Sequence, residues 1–363
     1  MKNTIGNAVC VTLFGESHGK AIGAVLDGLA SGIKVDEEFI ASQLTLRRPS
    51  GAISTARSEK DEFSILSGVC GGFTTGSPIC ITIPNGDVRS KDYNSIGALA
   101  RPSHADYPAY VKYGGFEDRR GGGHFSGRIT AALVAVGAIA ISALREKEIY
   151  IGTHISRCAG VDDRGFENLN NDIKLLNGMP FAVLDETAAE KMQKNILAAA
   201  ADNDSVGGIL ETAVTGFPAG IGEPWFDTLE GVLSKILFSV PAVKGVEFGK
   251  GFSIADMNGS TANDPLCMSD GKVLAKTNNN GGINGGISNG MPIMFRCAIK
   301  PTPTISKPQQ TVDMLKSENA ELVALGRHDP CIVHRAGVVI DSVTALALCD
   351  MLALGYGTDW LRS

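Results

Sequence analysis

Long apolar runs alternate along the chain with polar, glycine-rich stretches, and the boundaries between them predict its elements. Residues 8–14 (AVCVTLF) read as an apolar strand ending at a glycine. Residues 37–48 read as a helix that stops at Leu46-Arg47-Arg48, because Pro49 follows. Residues 64–83 hold strand-like runs broken by Gly71, Gly72 and Gly76. A polar, glycine-rich stretch (85–128) then leads into the longest uncharged apolar run, Ile129 to Leu144. That run is shorter than the roughly 18 to 20 residues needed to span a bilayer. It also contains Thr130, Gly137 and Ser142, so the pattern predicts a buried central helix over 129–145.

Further along, Thr187-Ala188-Ala189-Glu190 fits a capping box opening a helix to about Ala201. Residues 227–238 read as a helix with Asp227 as N-cap, and 243–249 (VKGVEFG) as a strand. A second glycine-rich stretch, 278–292, precedes a strand over 293–300. A last helix is predicted from about Asp341 to Leu354. No low-complexity linker or repeat divides the chain, so one domain over residues 1–363 is expected.

Composition narrows the classes. There are 44 glycines among 363 residues, against an average of about 7 %. They show no G-X-Y period, so the chain is not collagen, and 44 % hydrophobic residues is too many for a disordered chain. A net charge of −6 argues against nucleic-acid or membrane-surface partners. An anionic ligand must then be met by a local cluster of Arg or Lys. The eight cysteines are scattered, with no CxxC pair and no Cys/His metal spacing, as expected of free thiols in a cytoplasmic protein that binds no metal there. The first twenty residues lack the charged-then-apolar layout of a signal peptide, which fits the same compartment.

The candidate chemistry lies in the polar stretches. Glycines cluster at 114–127 and 281–290, where backbone can approach a ligand closely. The first cluster carries Asp118, Arg119, Arg120, His124 and Arg128 and feeds a helix N-terminus, a favourable place for anions. Neither cluster matches a Walker loop or a GxGxxG between strand and helix, so a standard dinucleotide fold is not supported. Five of the six histidines (His18, His104, His124, His328 and His334) sit in glycine- or charge-rich, loop-like segments, where histidine can serve as acid or base. Arg47, Arg48, Arg57, Arg101, Arg119, Arg120, Arg128, Arg327 and Arg335 recur in similar settings. A guanidinium grips carboxylate or phosphate in a fork, so the set points to a substrate with several negative groups. Arg327-His328-Asp329-Pro330 places cation, imidazole and carboxylate side by side. Gly15-Glu16-Ser17-His18-Gly19 has the G-x-S-x-G form of a hydrolase nucleophile elbow, but only 14 residues precede it, too few for the preformed sheet such an elbow caps.

Taken together, the blocks resemble the chorismate synthase family. They are GESHG (15–19), LRRPSG (46–51), RSEKDEFSILSGV (57–69), TTGSPI (74–79), RPSHADY (101–107), GGGHFSGR (121–128), VKGVEFG (243–249), NNNGGINGGISNG (278–290), KPTPTI (300–305) and RHDPC (327–331). They fall in the family's order and cover nearly the whole chain. The resemblance implies an α+β fold, a β-α-β sandwich with central helices between antiparallel sheets, assembled as a homotetramer. It implies a lyase that eliminates phosphate from 5-enolpyruvylshikimate 3-phosphate to give chorismate, needing reduced FMN without net redox change. His18 and His104 match the family's two catalytic histidines. One is expected to protonate the leaving phosphate, and the other to keep the flavin in its protonation state. Asp329 matches the carboxylate that assists proton removal.

By the same resemblance, Ser17, Arg47, Arg48, Arg101, Arg128 and Arg335 would bind substrate. The flavin would meet His124, Phe125, Ser126, Pro241, Ala242, Gly285, Lys300, Pro301, Thr302, Pro303, Thr304 and Arg327. The chain departs from the family in places: His124 stands where many members carry arginine, Ser103 where glycine is usual, and His334 where proline is common. No reductase domain or nicotinamide motif is evident, which points to flavin reduced elsewhere, by an external reductase or an NADPH-dependent supply. The rival readings are a serine hydrolase using Ser17, and a non-catalytic module that binds flavin or sugar phosphate.

Overall fold

Two five-stranded antiparallel sheets enclose a pair of apolar helices. The computed structural model describes residues 2–55, 60–86, 98–269, 271–324 and 328–362; Arg57 and Arg327 lie outside them. The first sheet comprises β1 (Thr4–Ile5), β2 (Cys10–Gly15), β3 (Ala21–Asp27), β4 (Ser64–Ser67) and β5 (Ile79–Pro84), in the order β1-β2-β3-β5-β4. The second comprises β6 (Tyr150–Cys158), β7 (Val161–Asp162), β8 (Gly208–Thr215), β9 (Val243–Phe248) and β10 (Ile293–Ile299), in the order β9-β10-β8-β6-β7. Side chains alternate across a pleated strand. Ile79, Ile81 and Ile83 of β5 and Ile293, Phe295, Cys297 and Ile299 of β10 therefore all point inward and are buried.

Among the described residues, the helices of two or more turns are α1 (Glu37–Arg47), α2 (Asp106–Tyr113), α3 (Thr130–Arg145), α4 (Leu169–Leu176), α5 (Glu186–Ala201), α6 (Leu229–Leu237) and α7 (Val333–Tyr356). Every residue of α3 except Ser142 and Arg145 is buried, because it packs on β3 and β5 on one side and on α7 and β6 on the other. With the helical turn before it, α3 extends to a 19-residue stretch, Gly127–Arg145, which like α7 is long and apolar enough to cross a membrane, yet 89 % and 83 % of their apolar windows lie inside the fold. They are core helices. Gly137 explains how closely they cross: a Cβ there would stand 2.4 Å from the Cβ of Ser342.

Several predicted boundaries move. The capping box at Thr187 is not used; α5 starts two residues earlier, capped by Asp185, which accepts from the Ala188 N–H at 3.1 Å. Thr228 rather than Asp227 caps α6, accepting from the Gly231 N–H at 2.9 Å. The last helix begins at Val333, not 341, so His334 is helical. Its first turns bury Val333, Ala336 and Val339 even though His334 and Arg335 interrupt the apolar pattern.

Candidate active site

A cavity of about 950 Å³ opens where the two sheets and the ends of α1, α3, α6 and α7 converge. This is near the top of the usual range for ligand pockets, about 300–1,000 Å³. Among the described residues its lining holds eight cationic side chains (Lys2, Arg47, Arg48, Arg101, Arg128, Lys235, Lys300 and Arg335) and two carboxylates, Asp61 and Asp329. An acidic protein has thus concentrated positive charge in one place. Apolar side chains, among them Ile236, Phe238, Val240, Val243, Ile332 and Val339, line it as well.

The loop Gly121-Gly122-Gly123 brings the histidines together. All three glycines have positive φ (60°, 92° and 54°). A Cβ on Gly121 would lie 2.1 Å from the His18 ring, and one on Gly122 would lie 3.3 Å from the His104 ring. Only glycine allows the backbone to pass this close to the first imidazole. The glycine excess at 121–123 therefore serves the two histidines directly.

Hydrogen bonds orient each ring. The Ser17 hydroxyl donates to the Arg120 carbonyl at 3.2 Å, so in its 3.2 Å contact with His18 Nδ1 the imidazole is the donor. The GESHG turn joins two neighbouring antiparallel strands, β2 and β3, and opens no helix. Ser17 is neither on an elbow nor activated by a base, which removes the hydrolase reading. His104 Nδ1 donates to Asp106 Oδ1 at 2.7 Å, leaving Nε2 for proton exchange. The same carboxylate receives Arg101 Nε and Nη2, both at 2.8 Å. Burial works to raise the Asp106 pKa, but the bonds from Arg101 and His104 outweigh it and hold the carboxyl well below the usual carboxylate range. His124 Nδ1 donates to the Gly15 carbonyl at 2.7 Å.

The arginines divide into two kinds. Arg47 spends all three nitrogens on the protein: Nε on Thr130 Oγ1 at 3.1 Å, Nη1 on Asp61 at 3.1 Å and Nη2 on the Gly127 carbonyl at 3.2 Å. Arg128 does the same with Asn85, Asp61 and the Pro84 carbonyl. By contrast, the Nε groups of Arg48 and Arg335 are buried with no hydrogen-bond partner among the described residues. Buried polar groups are nearly always satisfied, so such orphans point to a ligand. Arg335 Nη2 also pairs with Asp329 at 2.5 Å, while the Thr55 N–H donates to the other Asp329 oxygen at 3.0 Å. Lys300 donates to the Ser103 carbonyl at 2.6 Å; burial, helped by nearby Lys244, pushes its ammonium pKa down.

The cavity gathers His18, Arg47, Arg48, Arg101, His104, His124, Phe125, Ser126, Arg128, Pro241, Ala242, Lys300, Thr302, Pro303, Thr304, Asp329 and Arg335. Ser17 stands behind His18 rather than on the lining. Gly285 and Pro301 are exposed and do not line the cavity of this chain. Arg327 lies outside the described residues. The sequence reading missed Asp61 and Asp106, the two carboxylates that hold four of the arginines. Ser103 and Ala242, both on the lining, have left-handed backbone (φ 57° and 76°), which disfavours any side chain. That explains why glycine is usual at the first of them.

Comparison with known proteins points to one family. The family model for chorismate synthase matches residues 9–353. The chain is 46 % identical over 347 residues to the chorismate synthase of Pyrococcus abyssi, covering 96 % of each. It is 44 % identical over 358 residues to that of Archaeoglobus fulgidus, covering 97 % of each. A crystal structure of a chorismate synthase matches with a TM-score of 0.77 at 29 % identity, covering 97 % of this chain and 94 % of that one.

Proposed function

The chain belongs to the chorismate synthase family, lyases that eliminate phosphate from 5-enolpyruvylshikimate 3-phosphate, and we propose that the cavity is where this elimination occurs. One observation carries the assignment: two fixed histidines, a carboxylate and a cationic wall face one space. The substrate bears a phosphate and two carboxylates, and the wall supplies the opposing charge.

The family uses a flavin, and the residues here fit one. The apolar lining at Ile236 to Val243 and at Ile332 to Val339 suits a flat aromatic ring system, while Lys300 and Thr302 to Thr304 offer polar contacts. His124, Phe125, Ser126, Pro241 and Ala242 complete the residues that would hold reduced FMN. Held by these residues, reduced FMN would supply electron density for the departure of phosphate, with no net oxidation.

The chain's own residues do the rest. Arg48 and Arg335, both on the cavity lining, receive anionic groups of the substrate. In the reaction the carbon–oxygen bond to phosphate breaks, a proton leaves the opposite face of the ring, and a second double bond forms. One of His18 and His104 donates a proton to the departing phosphate, and the other maintains the flavin's protonation. Asp329, steadied by Arg335 and the Thr55 N–H, is placed to help carry the proton away. The apolar lining excludes water, which strengthens each charge interaction in the site.

We further read the chain as one domain, because both sheets and both central helices share one hydrophobic core. In the same reading it is a cytoplasmic homotetramer supplied with flavin reduced by another protein. The test is anaerobic incubation with chemically reduced FMN and 5-enolpyruvylshikimate 3-phosphate. Stoichiometric phosphate and chorismate are expected. Tight binding of both with no phosphate release would instead identify a binding module and overturn the reading.

A further inference from the structure

Asp61 sits beneath the arginine wall with its side chain fully buried. It accepts from Arg47 Nη1 at 3.1 Å and from Arg128 Nη1, and lies 3.7 Å from Arg48 Nε. Its backbone is left-handed, with φ of 51°. Aspartate enters that region more readily than most residues, so the conformation fits the residue it carries. A lone buried carboxylate is costly, so its presence here needs the guanidiniums, and their close approach to one another needs it.

We propose that Asp61 is a positioning residue of the anion-binding wall: its carboxylate locks Arg47 and Arg128 into a fixed frame and leaves Arg48 to receive the substrate. This rests on the reading of the cavity given above. The other donors of Arg47 and Arg128 are spent on Thr130, Gly127, Asn85 and Pro84, so these two arginines are anchored rather than grasping. Arg48, at the C-terminal end of α1, has a side chain 30 % exposed and an unsatisfied buried Nε. Three guanidiniums against one carboxylate also leave a surplus of two positive charges, enough to attract an anion without the mutual repulsion of all three.

Two effects of removing the carboxylate then oppose each other. Asp61→Asn makes the wall more positive, so inorganic phosphate should bind more tightly. It also loosens the frame, so turnover should fall. The experiment measures the rise in Tm caused by inorganic phosphate, together with kcat and KM. For Asp61→Asn a phosphate-induced rise in Tm larger than the parent's is expected, with kcat lowered at least tenfold. Asp61→Glu keeps the charge but shifts it by a methylene, and should show the parent's phosphate response with kcat again lowered at least tenfold. A merely structural role would lower Tm in both variants without altering the phosphate response, and that result overturns the proposal. If the Asn variant does not fold, the Glu variant decides alone: parental kcat refutes the proposal. The phosphate response needs no turnover. Failure of the parent to make chorismate would therefore count against the reading of the cavity, while the phosphate response of Asp61→Asn would still test the charge role of Asp61.

Discussion

Replacing Arg48 by alanine removes a guanidinium whose Nε is buried and unsatisfied in the free protein. Its approach to Asp61, at 3.7 Å, is an ion pair too long for a hydrogen bond, and Asp61 keeps Arg47 and Arg128 after the change. Stability should therefore change little. Binding should change much, because a hydrogen bond to a charged group is worth about 1.5–3 kcal/mol. That corresponds to a roughly ten- to hundredfold rise in Kd. Titration calorimetry with 5-enolpyruvylshikimate 3-phosphate, without reduced flavin so that no turnover occurs, measures it directly. Arg47→Ala supplies the contrast. It removes one of the two hydrogen-bonded guanidiniums of a fully buried carboxylate, which keeps Arg128, and should cost about 1.5–3 kcal/mol of stability. Unchanged affinity in Arg48→Ala, or a loss of stability as large as in Arg47→Ala, would refute the division of the arginines.

Gly121→Ala should leave the fold intact but lower kcat more than tenfold, since the new Cβ would stand 2.1 Å from the His18 ring; parental kcat would show that the loop does not set that imidazole. Ser103→Gly should raise stability by about 1 kcal/mol by relieving a left-handed residue, read as a higher midpoint of denaturant unfolding with activity retained; a lower midpoint would count against it. Asp341, partly buried beside Thr153, is pushed up to about 6 by desolvation, which outweighs the bond from Thr153 and the charge of Arg145. A raised carboxyl pKa means that its stability contribution is present below about pH 4 and is lost as pH rises through about 6. Asp341→Asn should then stabilise the protein at pH 8 by up to about 3 kcal/mol, with the gain vanishing below about pH 4; a gain independent of pH would refute the cause.

Much of this arrangement is legible in the residues. The uncharged run of α3 and the Pro49 stop after Arg47-Arg48 both translate directly into structure, and so do the alternating strands β5 and β10. The two central strands β6 and β8 were not foreseen, and the reason is physical. His154 in β6 and Glu211 in β8 break the apolar pattern, yet they face each other across the ladder with Nε2 and Oε2 3.1 Å apart, and Asp163 holds the other ring nitrogen at 2.8 Å. A polar pair that satisfies itself can occupy a central strand, and one strand's pattern does not reveal its partner. The site shows the same limit. Histidines and arginines stand out because they are few or clustered. Asp61 and Asp106 do not, being two among 39 acidic residues. An arginine cluster in a fold demands a buried counter-charge, but only the fold chooses which carboxylate supplies it.

The central claim is that His18 and His104, held by the glycine loop, work on phosphate release in this cavity. Anaerobic single-turnover measurement of phosphate and chorismate, with reduced FMN, compares the parent with His18→Ala and His104→Ala. The account predicts equal, stoichiometric release of both products by the parent, and at least a hundredfold slower release by each variant with substrate still bound, the scale of a lost general acid. Parental rates in both variants would contradict it.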